Sequence, residues 1–228
     1  MPGTLAGKRA VVTGTGTTLG AGLEEALRRA GAEVVGLAEA VYPSREAAVA
    51  AFDAAASDRL GGPLDVLLHA AMPEPAFERV AFSDVDDERW HAVWEDAMRT
   101  TLFVLQAAFG QMKGRGGRIV LVTPTVSMSG AEQLVPYTVA VEGQRLMAKS
   151  AARQWGPDGI TVNCLAPAPE HVPIGVASMS VSLSPPALGG PGDVVNDLGP
   201  VAAWLASDAA HFLTGATVSA DGGVWMAP

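Results

Sequence analysis

Six short apolar runs recur along the chain, each followed by a stretch with helical spacing, and that alternation leaves few architectures open. The runs are Arg9–Thr13, Glu33–Leu37, 65–69, 118–122, 160–164 and 217–219. Glycine-rich residues 14–22 turn the first run into a helical pattern over 23–30, and Gly31-Ala32 ends it before the second. Such a connection is a right-handed crossover between parallel neighbours. A helix over 44–60, capped by Ser44 and broken by Gly61-Gly62-Pro63, leads to the third run. Longer helices over 86–112 and 137–155 lead to the fourth and fifth runs in the same rhythm. A loop rich in Pro, Gly and Ser over 167–192 and a helix near 201–206 complete it. The fold class expected is α/β, a doubly wound parallel sheet of about six strands.

At 228 residues with 49% hydrophobic side chains, residues 1–228 should form a single domain around one sizeable core. No apolar stretch approaches the roughly 18 residues that span a bilayer, and the N-terminus runs straight into a strand, so a cytoplasmic protein without a membrane partner is expected. The single cysteine, Cys164, excludes an internal disulfide and a multi-cysteine metal cluster and reads as a small core residue; no metal site is expected. A net charge of −9, with 15 scattered Lys and Arg, argues against nucleic acid as a partner.

Several motifs stand in a familiar order. They are Thr13-Gly14-Thr15-Gly16-Thr17-Thr18-Leu19-Gly20, Trp90 with Val93, Gly117-Arg118-Ile119-Val120, Tyr137, Gly159 to Asn163 through Pro167, Leu205-Ala206-Ser207-Asp208, Thr214-Gly215 and Asp221-Gly222-Gly223. Together they resemble the short-chain dehydrogenase/reductase family over nearly the whole chain. The resemblance implies a Rossmann-like fold, NAD or NADP as cofactor, and pairing of subunits through the two long helices as a four-helix bundle. It also implies a Ser that holds a substrate carbonyl, a Tyr that moves the proton, a Lys four residues later that lowers the phenol's pKa, and an Asn in the long helix that supports a water relay.

The residues depart from that pattern at several points. Gly14, Gly16 and Gly20 stand ready to let backbone amides approach a pyrophosphate, or simply serve the tight turn, while Thr18 replaces the loop's second glycine. The interval 38–64 has room for one helix only, so an edge strand that helps wall an adenine pocket is missing and the sheet order expected is 2-1-3-4-5-6. Glu39 stands where an acid would bind a ribose hydroxyl, or is a solvated loop carboxylate. Tyr137 occupies the Tyr position, but Val141 holds the Lys position and Ala97 the Asn position. A phenol with a pKa of about 10 is a poor base near neutrality without a neighbouring cation. Arg145 lies on the order of 12 Å along the helix and Lys149 farther, so neither replaces the lysine. Thr125 is the candidate for the substrate hydroxyl, or else satisfies loop backbone. At the strand end His69-Ala70-Ala71-Met72, Met72 replaces a glycine and suits the filling of a pocket, while His69 is either structural or a new chemical group.

These losses all act on cofactor binding or proton transfer. They lead to the expectation of a cofactor-impaired member of the family that binds no nucleotide tightly and serves as a noncatalytic partner subunit, in a homo-oligomer or with an active relative through helices 86–112 and 137–155. Two alternatives stay open: an NAD- or NADP-dependent alcohol/ketone oxidoreductase using Tyr137, and a cofactor-independent enzyme that reuses the cleft.

Overall fold

The structure, a computed structural model, describes residues 3–38, 41–172 and 185–226. Six parallel strands form one sheet: β1 (Arg9–Thr13), β2 (Glu33–Leu37), β3 (Val66–His69), β4 (Gly117–Val122), β5 (Ile160–Pro167) and β6 (Thr217–Ala220). Their order is β2-β1-β3-β4-β5-β6, as the short 38–64 interval requires. β1 pairs with both β2 and β3, so the chain reverses its direction of winding there. Ligand crevices of open parallel sheets lie at the carboxyl ends of strands beside such a reversal.

Side chains that alternate along each strand sort into two cores. On one face Val11, Leu67, Ile119, Leu121, Val162 and Cys164 pack under three helices: α2 (Arg45–Ala54), α3 (Asp87–Met112) and α5 (Val135–Trp155). On the other, Ala10, Val12, Leu68, Val120, Val122 and Leu165 pack under α1 (Thr18–Arg29) and α6 (Gly199–Leu205). The lone Cys164 is a buried core residue. No described helix is long and apolar enough to cross a membrane.

Caps fix the helix starts. Thr17, Ser44 and Asp86 each accept a hydrogen bond from a backbone N–H three residues on, which satisfies one of the donors a helix leaves free in its first turn. The 44–60 helix is continuous, but its last turn, Ala55–Arg59, widens to π geometry before Gly61. Several boundaries differ from the sequence reading, and α1 starts at Thr18, five residues before the helical pattern read over 23–30, because Thr17 caps it. α5 starts at Val135, two residues before Tyr137, because Pro136 is tolerated in a first turn where no N–H is needed. β5 runs on to Pro167, and α6 begins at Gly199 after a wide turn over Val194–Leu198. A short helix, α4 (Val126–Ser129), fills the loop after β4, where four residues carry no readable period.

The β1–α1 turn is the tightest point of the fold. Gly14 has φ +77°, and a Cβ there would lie 2.6 Å from the Ala71 nitrogen. At Gly20 a Cβ would run into the Gly14 carbonyl, so both positions are held to glycine by the protein's own backbone, ligand or no ligand. Gly20→Ala is therefore expected to cost about 1–3 kcal/mol of unfolding free energy, as overpacking against a rigid neighbour does. Gly16→Ala, whose Cβ would meet only the Ala38 carbonyl at 3.5 Å, should change stability by less than about 0.5 kcal/mol. Urea denaturation of the two variants checks the contrast.

Candidate functional site

The carboxyl ends of β1, β3, β4 and β5 converge on one cleft, and the glycine turn forms its outer wall. Thr17 locks that turn: its hydroxyl donates to the Gly14 carbonyl at 3.0 Å and accepts from the Gly20 N–H at 3.0 Å. A groove of about 410 Å³ runs over the turn, lined by Gly14, Gly16, Thr18, Ala38, Met72 and Glu74 among others. Gly16 is the one loop glycine that the protein's own packing does not demand, and it opens onto this groove. Among the described residues no Lys or Arg lines it, while the exposed carboxylate of Glu74 does. Glu39 lies outside the described residues.

Behind the groove the cleft is packed. Tyr137 is 2% exposed, within an apolar cluster that includes Met72, Val93, Ala97, Val126, Ala140 and Val141. The Phe77 ring lies 5.9 Å from the Tyr137 ring, tilted by 42°. The void left in front of Tyr137 amounts to about 30 Å³, enclosed by Leu19, Ala71, Val122, Pro124, Tyr137 and Val172 with their neighbours. That is room for about one water and no more. Burial pushes the Tyr137 phenol well above its usual range, and the Arg145 guanidinium offsets only part of this. Val141 and Ala97, at the positions where the resemblance places Lys and Asn, are both buried and apolar, so Tyr137 has no cation at bonding distance and no polar relay from α3.

The burial of the cation in this region was not legible in the sequence. Arg145 is buried and reaches away from Tyr137 toward the end of β4. Its guanidinium donates to the Thr123 hydroxyl at 2.8 Å, the Ser127 hydroxyl at 2.8 Å and the Glu142 carboxylate at 3.0 Å. A buried guanidinium is tolerated only with a counter-charge and filled donors, and Glu142 one turn earlier supplies the charge. An arginine within a helix gives no sign of this by itself; only the three-residue spacing to Glu142 could have raised it. Thr125 is buried and donates to the Pro167 carbonyl at 3.2 Å, while Ser127 donates to the Pro124 carbonyl at 3.0 Å. Of the two readings of Thr125, the hydroxyl sits in the second, satisfying loop backbone. Pro124, not Thr125, shares the void with Tyr137.

His69 is the centre of a buried polar chain linking β1, β3, α3 and α5. The Thr101 hydroxyl gives its proton to the Ala97 carbonyl at 2.8 Å and accepts from the Gln144 amide at 2.8 Å. It must therefore accept from His69 Nε2, 3.1 Å away, which leaves Nδ1 to accept from the Thr13 hydroxyl at 2.7 Å. Every polar atom of the neutral ring is satisfied, and a second ring proton would require the Thr13 hydroxyl to turn from donor to acceptor. Burial lowers the pKa of His69 from 6.5 to about 4.

The linkage gives a sign. The unfolded chain takes up a proton at His69 as pH falls through about 6.5, while the folded chain does so only near 4. The stability that neutral His69 confers is thus complete above pH 6.5 and lost between there and about 4, some 3 kcal/mol in all at about 1.4 kcal/mol per pH unit. His69→Gln, measured by urea denaturation at pH 7 and pH 4.5, should lower stability at pH 7 and flatten the decline toward acid.

Comparison with known proteins places this geometry. Residues 5–225 match the family model described as Enoyl-(Acyl carrier protein) reductase. D-xylose 1-dehydrogenase of Caulobacter vibrioides is 35% identical over 183 residues, covering 72% of each chain. The 3-oxoacyl-[acyl-carrier-protein] reductase of Escherichia coli is 29% identical over 248 residues, covering 96% of this chain and 98% of its own. A solved putative short-chain alcohol dehydrogenase from Sinorhizobium meliloti superposes with a TM-score of 0.81 at 27% identity over 98% of both chains. In fold alone, a gluconate 5-dehydrogenase from Burkholderia cenocepacia, solved with NADP and tartrate, superposes equally well, with a TM-score of 0.81 at 24% identity over 96% of both chains. With the family model spanning residues 5–225 and relatives matched over most or nearly all of their length, this chain belongs to the short-chain dehydrogenase/reductase family.

Proposed function

We propose that this chain is a member of an oxidoreductase family that does not carry out Tyr-based hydride chemistry alone and acts as a noncatalytic partner subunit. The observation that carries the reading is the apolar cluster around Tyr137, in which Met72, Phe77, Ala97 and Val141 take the space and the polar positions a proton relay needs. A nicotinamide cofactor brings the hydride donor or acceptor to such a site. The loop half of the cleft suits a nucleotide: the groove of about 410 Å³ is open and Gly16 keeps it free of side chains. The ring half does not, since about 30 Å³ is left there. Nucleotide binding is accordingly weak on this reading.

The partner surface is the outer side of α3 and α5. A groove of about 580 Å³ runs between them, lined by Leu102, Leu105, Phe109, Leu146, Met147 and Trp155 with polar neighbours, and Leu146 is 63% exposed. An apolar strip of this kind favours association with a second copy or with a catalytically complete relative.

A second reading has its own support. The relatives reported above are dehydrogenases and reductases, and Gly16 and the open groove fit a bound nucleotide. The comparisons thus favour an NAD- or NADP-dependent alcohol/ketone oxidoreductase using Tyr137, whereas the packing around the phenol favours the first reading.

Calorimetric titration separates the two. On the first reading neither NADH nor NADPH binds with a Kd below about 100 μM, equivalent to some 5.5 kcal/mol. Val141→Lys with Ala97→Asn creates no robust dehydrogenase activity, because a proton donor without a seated nicotinamide transfers no hydride. Should the wild-type chain oxidise alcohols with NAD and Tyr137→Phe abolish this, the second reading replaces the first. For the partner surface, light scattering should find a dimer or tetramer at micromolar concentration that Leu146→Glu dissociates.

A further inference from the structure

The groove over the glycine turn and the void in front of Tyr137 are separated by one layer of side chains. Thr17, Met72 and Phe77 line both spaces, so these residues are the partition. Two of them are fixed. The Thr17 hydroxyl is committed to Gly14 and Gly20, and Met72 is buried at the end of β3. Phe77 is different: it ends a four-residue 3₁₀ turn, Glu74–Phe77, and is only half-buried.

The stretch that carries Phe77 rests lightly on the body. Within residues 74–80 only Ala76 is buried, with Phe77 and Val80 half-buried and the rest exposed. Three bonds to described residues are among its ties. The Val80 N–H donates to the Gln133 carbonyl at 2.9 Å, Arg79 donates to the Gln133 side chain at 3.1 Å, and Arg89 pairs with Glu78 at 2.7 Å. Gln133 takes two of the three, and it is the one non-glycine with positive φ, +64°, among the described residues. A left-handed backbone at such a residue persists where its surroundings demand it, and such residues gather at switching segments.

We infer that residues 74–80 form a gate over Tyr137, with Phe77 as its leaf and the bonds at Gln133 and Glu78 as its latch. Outward movement of Phe77 joins the void to the groove and gives the Tyr137 hydroxyl a path to solvent. The walls exposed on opening are mostly apolar, from Leu19, Ala71, Val122, Pro124 and Val172, with His171 on one side held to the Pro191 carbonyl at 3.0 Å, so the opened space favours an uncharged, ring-sized group. Little buried surface opposes the movement, which is the character of lids that open locally without global unfolding. The gate exists on either reading of the function.

Nitration of the phenol by tetranitromethane tests this without reference to activity. The chain has two tyrosines, Tyr137 and Tyr42, and Tyr42 is buried in the core under α2 and α3, so it reports global loosening. Peptide mass spectrometry follows each at pH 8 in wild type, in Phe77→Ala, in Phe77→Leu should the alanine variant fold poorly, and in the latch variant Arg79→Ala/Arg89→Ala. The expected result is a rise of about tenfold or more in Tyr137 nitration for the leaf and latch variants, with Tyr42 unchanged, as selective local opening requires. If removing the Phe77 ring leaves Tyr137 as unreactive as in wild type, Phe77 is not the barrier. If the leaf variant responds and the latch variant does not, Phe77 is fixed packing and the gate is wrong. Parallel rises at both tyrosines overturn it equally, as loosening of the whole domain.

Discussion

A parallel sheet buries both of its faces, and each face needs its own layer of helices. That constraint determines where everything else in this chain can lie. With α2, α3 and α5 on one side and α1 and α6 on the other, the only open ground near the strands is at their ends. The carboxyl ends of β1, β3, β4 and β5 meet there; Gly14, His69 and Thr123 sit on or just beyond them, while Tyr137 and Arg145 come from α5. Gly14, His69, Thr123 and Pro167 follow from the pairing register, since Thr13 is opposite His69, His69 opposite Leu121 and Val122 opposite Leu165. The site's location is thus a property of the sheet, whereas its chemistry is a property of the side chains the loops bring in.

The strands and their order were legible because both depend on local signals. Short apolar runs marked the strands, and the single helix between Leu37 and Asp65 left no chain for a further strand. Gly14 and Gly20 were legible as glycines but not in their reason, which is the closeness of the turn's own backbone. The burial of Arg145 and the place of Phe77 against Tyr137 were not legible, although the sequence already set Arg145 too far along the helix to replace a lysine. Their roles arise from contacts across 22 residues in one case and 60 in the other, and neither has a local pattern that differs from an exposed helix arginine or a loop aromatic. His69 falls between these cases. A strand-end histidine admits chemistry or structure, and only the partners on α3 and β1 decide which protonation state it holds.

Two buried polar groups show opposite solutions to desolvation. Arg145 keeps its charge and surrounds it with Glu142, Thr123 and Ser127, which ties α5 to the end of β4 and to α4. Tyr137 keeps its proton and is surrounded by carbon, with Phe77 against its ring. The same helix therefore holds a cation that cannot serve the phenol and a phenol that cannot readily ionise. Eight residues separate them on α5, and the guanidinium is directed to the strand end by its bonds.

The apolar character of Met72, Ala97 and Val141 has a shared physical cause. A lysine at 141 is tolerable beside Tyr137 only while a phenol oxygen, a ribose or relay water accepts its protons. Once one of those partners is gone, a buried amine or amide left unpaired costs about 1–3 kcal/mol or more, a sizeable part of a domain's stability. Apolar replacement at the neighbouring positions then becomes the stabilising direction, and each replacement removes a partner from the next. Residues in one contact cluster do not change independently. The loop side of the cleft feels no such pressure, because Gly16 and Thr18 face solvent and leave no buried donor behind. The ring end of the cleft is packed while the groove over the glycine turn is open, and desolvation couples the residues around Tyr137 to one another while leaving the exposed turn free of that coupling.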